Sequence, residues 1–343
     1  NLIELELLDL DLIKLVKEFL NNINYFFKAD YKSAFYKMIN YLKKNQLKFA
    51  PIYFLAPTII LFLLYVIYPI IDSIWVSFHS WNGMDRSLLD SSGDLKNWKW
   101  VGLDNYKELF FEDYTFPINI INNLKWLILS LLVIPIGLGL AIFLNQNIRE
   151  MKFIKPLFFF PFVINLVVVS LIFTWFYMPK YGLLDLIFRS LGLEPIAFLA
   201  EETLATYAII FAFFWPAIAY TMIIYLTGLT NINTEVVEAG RIDGASGFNM
   251  FWNVILPQLR PATFIATVVT IVGALRSFDM VAIMTKGGPW GSSSVLAYKM
   301  YEEALFSYRM GYGSAIATIL FLIMDIYIAW FLYRLFINES SEK

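Results

Sequence analysis

The stretch NINTEVVEAGRIDGASGFNMFWNVILPQLRP, residues 231–261, lies between long apolar segments and decides what kind of molecule this is. Asn233 stands where a helix N-cap accepts a bond from the first turn, with Glu235 in that turn and Glu238 in the next. Val236, Val237, Ala239 and Ile242 give this helix an apolar side. Asp243-Gly244 then ends it, glycine being the residue that tolerates a left-handed backbone. Ser246 is placed to cap a second helix, on which Phe248, Phe251, Trp252 and Ile255 recur at i, i+3, i+4 and i+7. Pro257 and Pro261 set the join to the next apolar run. The expectation is a rigid elbow of two short helices, able to transmit a push. A plain re-entrant amphipathic loop would need neither a glutamate at 238 nor a rigid turn at 244.

Outward from the elbow the chain is too apolar for a soluble domain. Of its 343 residues 59% are hydrophobic and 16% charged, against roughly 45–50% apolar in soluble proteins. A bilayer-spanning helix takes roughly 20 apolar residues, and windows near 51–78, 119–144, 157–178, 204–229, 261–284 and 313–336 qualify. The fold class expected is an all-α polytopic membrane protein with six transmembrane helices. Pro57, Pro69, Pro135, Pro161 and Pro216 fall inside these windows. They mark either interrupted helices packed around a cavity or ordinary kinks.

Three segments follow: an extension over 1–50, the first span with its loop over 51–118, and a core over 119–338. In the extension Leu5, Leu8, Leu12, Leu15, Phe19, Ile23 and Phe26 recur at helical steps between charged residues. They predict an amphipathic helix at the cytoplasmic face. No cleavable signal peptide is expected, and the first residue is Asn1 rather than Met. Lys43, Lys44 and Lys48 before span one, and Arg149, Lys152 and Lys155 after span two, belong inside by the positive-inside rule. The acidic loop 79–118 belongs outside, which makes 230–260 and both termini cytoplasmic.

The charge balance of −2 gives no reason to expect nucleic-acid binding. With no cysteine and one histidine, His79, no metal site is expected, and disulfides and thiolate chemistry are excluded. No G-x-x-x-x-G-K-[ST] run exists to cradle a nucleotide phosphate.

Glu238-Ala239-Gly240…Gly244 followed by Val254-x-Leu256-Pro257 resembles the "EAA…G…I-x-LP" loop of ABC importer permeases. Gly240 stands where that family usually has alanine, a change that should loosen the helix by about 1 kcal/mol. Val254 replaces isoleucine. Val101-Gly102-Leu103-Asp104-Asn105-Tyr106 resembles the "GLxNY" entry of carbohydrate-type permeases. Phe278-Asp279…Thr285-Lys286-Gly287-Gly288-Pro289 resembles their "FD…T-x-GGP", and Gly311-Tyr312-Gly313-Ser314-Ala315 their "GYxSA". The set is similar to the first permease of maltose and glycerol-phosphate importers and covers about residues 52–336.

The resemblance implies the type I importer permease fold in a bacterial cytoplasmic (inner) membrane. It further implies a carbohydrate substrate, a homologous second permease, an extracytoplasmic solute-binding protein and an ATP-binding cassette ATPase dimer. That dimer would hold ATP and Mg, leaving this chain without a cofactor and without enzymatic activity. The loop 231–257 would dock on the ATPase through Glu238, Ala239, Gly240, Asp243, Gly244, Ala245, Leu256 and Pro257. Membrane lipid is the remaining partner.

For a substrate pathway, Arg276 and Asp279 are ionisable groups within a span and so functional candidates. Arg276 is placed about 22 Å along a helix starting at Pro261, where it could pair with Asp279 at i, i+3. Phe162, Asn165, Trp215, Tyr220, Ser277 and Phe278 could complete a pocket of aromatic faces and hydroxyl partners. In related permeases the pocket is built from these same three spans. The alternative is a self-satisfied ion pair with aromatic packing. The Gly287-Gly288-Pro289 turn either braces a capturing protein or shapes its loop.

An ion-driven secondary transporter is the rival function; it should carry internal repeats and acids in several spans, and Asp279 is the intramembrane acid singled out for a pathway here. An integral-membrane enzyme lacks the clustered His, Asp or Glu it would need. A structural anchor would not need the elbow.

Overall fold

The computed structural model describes residues 46–84, 97–146, 148, 149 and 151–341. Most of the extension predicted over 1–50, and the loop acids Asp85, Asp90 and Asp94, lie outside the described residues. The chain divides into two units, one up to Ile71 and one from Asp72 onward.

In the first unit, α1 (Gln46–Phe62) runs through Pro57 without a break. A single π-helical turn, Leu63–Ile67, precedes α2 (Tyr68–Val76), with the Tyr68 N–H bonded to Leu63 O. The wide turn relieves the clash between the Pro69 ring and the carbonyl four residues back. Phe54–Val76 is long and apolar enough to cross a membrane, and its most apolar window has no buried residue.

The second unit opens with a short antiparallel ribbon, β1 (His79–Trp81) and β2 (Trp98–Trp100), His79 opposite Trp100 and Trp81 opposite Trp98. This ribbon, and α3 (Asp104–Lys107) after it, had no counterpart in the periodicity of the sequence. The second span, Phe116–Leu144, comprises α4 (Phe116–Ser130) and α5 (Val133–Leu144), interrupted just ahead of Pro135.

The third span takes the interrupted form, one of the two readings that Pro161 left open. It comprises α6 (Met151–Val163) and α7 (Leu166–Phe176), whose apolar stretches meet at 97°. The bend follows Pro161, and the Asn165 side chain re-starts the helix by accepting the Val167 N–H at 2.8 Å. α8 (Leu183–Ser190) leads to α9 (Ala205–Thr230), a continuous helix despite Pro216. Pro216 is buried, and packing on several sides holds α9 straight through one missing N–H. Of the two readings left open for these prolines, interruption does not apply at Pro216.

The elbow follows as α10 (Thr234–Ile242), α11 (Gly247–Met250), a π-helical turn Phe251–Ile255, and α12 (Leu256–Gln258). The fifth span comprises α13 (Arg260–Leu275) and α14 (Asp279–Met284), α15 (Leu296–Tyr301) follows, and the last is α16 (Met310–Ser341). Five helices, or six with the bent pair counted as one span, are long and apolar enough to cross a membrane.

Alternation of the spans puts the elbow at one end, with the ribbon, α8 and the loop 285–309 at the other. One core cluster at the elbow end contains Leu144, Met222, Tyr225, Leu259 and Ala266, with Ile232 and Ile255 of the elbow packed on it. A second, toward the opposite end, gathers Trp126, Ile209, Val281, Leu296 and Ile316. Small residues bring the helices together, as is usual where lipid supplies no hydrophobic drive. A Cβ on Gly137 of α5 would lie 2.8 Å from Thr221 of α9, and one on Gly228 of α9 2.8 Å from Ala262 of α13.

Candidate functional site: an elbow and a membrane-facing cluster

The elbow's first helix starts as the sequence requires. Asn233 Oδ1 accepts the Glu235 N–H at 2.9 Å, and the Asn233 N–H donates to Gln258 Oε1 at 3.0 Å, tying the two roots of the elbow together. The helix ends in a Schellman motif. The Ala245 N–H bonds Gly240 O at 2.9 Å, the Gly244 N–H bonds Arg241 O at 3.1 Å, and Gly244 takes φ +87°. Ser246 occupies the next N-cap, but its side chain makes no capping bond. There the backbone alone redirects the chain, with Gly247 at φ +51°.

Gly240 has a role the sequence did not disclose. A Cβ there would stand 3.1 Å from Val254 Cγ2 and 3.5 Å from Met250 Cε. The glycine admits the second limb against the first, so its cost in helix propensity is offset by close packing. Glu238, Ala239, Asp243 and Gly244 are exposed, Ala245 and Leu256 are half-buried, and Pro257 is exposed. Ile242 is 86% and Phe248 77% exposed, and Phe248 stacks on Trp252 with centroids 5.6 Å apart. Carboxylates and apolar side chains thus share one outward ridge, whose roots are sunk in the core through Ile232, Ile255 and Leu259.

Of the membrane candidates, Phe162 and Tyr220 are brought face to face, centroids 5.0 Å apart and 20° from parallel. Trp215 lies beside them in α9, edge-on to Phe160 (6.4 Å) and Phe173 (5.9 Å) of the bent third span. Asn165 is exposed at the bend, with one side-chain oxygen committed to its cap. The fifth span breaks where an unbroken helix had been expected. α13 ends at Leu275 and α14 starts at Asp279, so Arg276 and Asp279 are not one turn apart on a helix. Both are exposed, and among the described residues no ion pair joins them, so the pairing expected at i, i+3 is not made. Ser277 is buried, its Oγ without a hydrogen-bond partner among the described residues. Phe278 packs edge-on to Tyr301 at 4.9 Å rather than toward Tyr220.

Sequence reasoning missed a clasp at the end opposite the elbow. Asn122 Nδ2 donates to Ser292 O (2.6 Å) and Ser294 O (2.9 Å), and Asn123 Oδ1 accepts the Leu296 N–H (2.9 Å). These bonds hold the loop that contains Gly287-Gly288-Pro289, and Thr206 donates to Ser292 O at 3.2 Å. Asn122 and Asn123 were visible as polar residues inside an apolar window, which is the signal that could have found them.

Beside this loop, Arg309 reaches both Glu108 oxygens at 2.5 Å and Glu303 at 3.5 Å, and Lys299 pairs with Glu303 at 2.7 Å. Burial resists ionisation of Asp113, but hydrogen bonds from Thr115 and Tyr312, with Lys299 nearby, hold its carboxyl below the usual range. Burial likewise works against the charges of Lys299 and Arg309, yet Glu303 and Glu108 raise both above their ordinary values.

The motifs near this end acquire structural reasons. Asn105 Nδ2 donates to Ser77 O (2.8 Å) and His79 O (3.0 Å), and a Cβ on Gly311 would collide with His79 O.

The comparisons with known proteins agree with this architecture. The family model described as binding-protein-dependent transport system inner membrane component matches residues 133–338. A probable ABC transporter permease of Pyrococcus horikoshii is 35% identical over 84% of this chain and 96% of its own length. The multiple sugar-binding transport system permease of Streptococcus mutans is 34% identical over 80% of this chain and 90% of its own. A chain of a bacterial ABC transporter that imports the acidic polysaccharide alginate superimposes with TM-score 0.72 at 22% identity, over 87% of this chain and 98% of that one. The fold is that of a type I importer permease. An elbow standing out from a bundle of membrane-length helices, and a family match running from α5 into α16, lead to one conclusion: the chain belongs to the binding-protein-dependent inner membrane components, the multi-pass permeases of ABC importers.

Proposed function

We propose that this chain is one of two homologous permease subunits of an importer that carries a carbohydrate or polyol, powered by a separate ATPase dimer and supplied by an extracytoplasmic solute-binding protein. The observation that carries the proposal is the elbow. Its first helix is capped at Asn233, stopped by Gly244, rooted in the core and exposed along Glu238, Ala239 and Asp243. A rigid exposed lever suits docking into a groove on the ATPase, with Gly240, Ala245, Leu256 and Pro257 shaping it. ATP and Mg would act in that partner. The charge pattern of the loops favours both termini and the elbow on the cytoplasmic side.

The substrate class rests on the motif set and on the sugar permease from Streptococcus mutans that the chain resembles. The stacked Phe162–Tyr220 pair, Trp215, Asn165 and the break at Arg276–Asp279 suit a path shared with the second permease. Aromatic faces meet sugar rings there, and unpaired polar groups meet hydroxyls. Ser277 and Phe278 flank that break.

The test is purification of the tagged chain from native membranes, followed by reconstitution with whatever permease and ATPase accompany it. Solute-stimulated ATP hydrolysis that Glu238→Lys abolishes, with the subunits still assembled, is the expected result. Recovery of the chain alone after cross-linking, or full stimulation in the variant, would overturn the coupling role.

A further inference from the structure

α8 joins the outer end of the bent third span to the start of the fourth, and its outward side is apolar. Inward it directs Leu184, Asp185 and Phe188. Asp185 is 5% exposed, and Phe188 stacks on Phe198, which in turn meets Tyr177 at 5.6 Å. Outward it presents Leu183, Leu186 (55% exposed) and Ile187, and Leu191 (67% exposed) with Leu193 continues the surface beyond the helix. The two charged residues of the helix engage each other, Arg189 Nε donating to Asp185 Oδ2 at 2.6 Å.

The depth of this helix follows from its tethers. The Tyr177 hydroxyl donates to Ala208 O at 3.0 Å, tying the end of α7 to the first turn of α9. The Gly182 N–H donates to Met178 O at 2.8 Å, so α8 starts one turn from that tie. It therefore lies level with the first turn of a membrane-length helix, where hydrocarbon gives way to headgroups. Trp175 and Tyr181, both exposed, flank it at the level such rings favour. Val168, Leu171 and Ile172 of α7 are exposed apolar residues as well.

We infer that α8 is an interfacial anchor whose Leu183–Leu186–Ile187 side lies in the boundary between acyl chains and headgroups of the leaflet opposite the elbow. The partner it fits is the lipid surface. Seated there, α8 holds the second limb of the bent third span, and with it the turn at Asn165, at a constant depth.

The chain has no cysteine, so a cysteine introduced into it is its only one, and the complex carrying the cysteine-free chain, labelled in parallel, gives the background from the other subunits. Leu186→Cys, Ile187→Cys and Ser190→Cys, each in the full chain within its assembled complex, would carry an environment-sensitive fluorophore in phosphatidylethanolamine–phosphatidylglycerol liposomes. At 186 and 187 emission should shift to the blue and be quenched by spin-labelled lipid but not by iodide, while iodide reaches 190. Equal iodide quenching at all three sites overturns the inference. Protection from both quenchers at 186 and 187 overturns it too, because protein rather than lipid would then cover the face. Without a fluorophore, Leu186→Cys should react slowly with a membrane-impermeant maleimide in liposomes and faster in detergent, whereas an unchanged rate would also overturn it.

Discussion

The Tyr312 hydroxyl donates a 2.7 Å hydrogen bond to Asp113 Oδ2 across 199 residues of sequence. One group belongs to the first turn of the last span, and the other stands just ahead of the second. Arg309 lies over the Tyr312 ring, 4.3 Å from its centroid, and bonds Glu108, so the two span entrances are clasped twice. Removing the hydroxyl with Tyr312→Phe leaves a half-buried carboxylate one donor short. A hydrogen bond to a charged group contributes about 1.5–3 kcal/mol. A fall of that size in unfolding free energy, read from thermal midpoints in detergent, is expected.

The clasp should be indifferent to pH through the neutral range. Asp113 is held below its ordinary 3.8, so its contribution is complete above that value and is lost as pH falls through the lower folded value. Lys299 is held above its ordinary 10.5, so its contribution is complete below that value and is lost as pH rises through the higher folded one. The stability difference between wild type and Asp113→Asn should therefore stay level between about pH 5 and pH 9 and close in stronger acid. A steep change near pH 6–7 would contradict this assignment.

Gly244 needs its positive φ and not extra room, since a Cβ there would meet nothing within 4 Å. Gly244→Asn should retain transport, because asparagine accepts that conformation. Gly244→Val should strain the elbow by about 1–2 kcal/mol and lower solute-stimulated ATP hydrolysis in the reconstituted complex.

At Gly240 the opposite holds, since space limits it. Gly240→Ala should be nearly neutral, with about 1 kcal/mol of helix propensity gained against the crowding of Val254. Gly240→Leu should separate the limbs, and adding Val254→Ala should restore part of the loss. Uptake by all three variants, compared at equal membrane abundance, checks this.

Asn122 and Asn123 hold the loop after the fifth span by its backbone. Asn122→Ala should cost about 1–3 kcal/mol locally by leaving the Ser292 and Ser294 carbonyls a donor short. Cleavage near Trp290, which is exposed, should then quicken under limited proteolysis while the spans stay intact.

Much of this was legible beforehand. The apolar windows had to become helices because hydrocarbon offers a backbone no other partner. The elbow was legible for a local reason: Asn233, Gly244 and Pro257 act on the backbone within a turn of themselves. The family motifs were legible as patterns only. That Asn105 grips Ser77 and His79, or that Gly311 gives way to a carbonyl, depends on residues distant in sequence.

The sequence by itself determined the helical membrane class, the number of spans and the capped and broken elbow, because each follows from composition or from backbone preferences a few residues long. Pro161 marked where the third span could be interrupted, but tertiary structure alone decided the 97° size of that bend, the separation of Arg276 from Asp279, the pairing of Phe162 with Tyr220 and the clasp between the second and last spans. These depend on which side chains are left without partners once the helices pack, and no local rule contains that information.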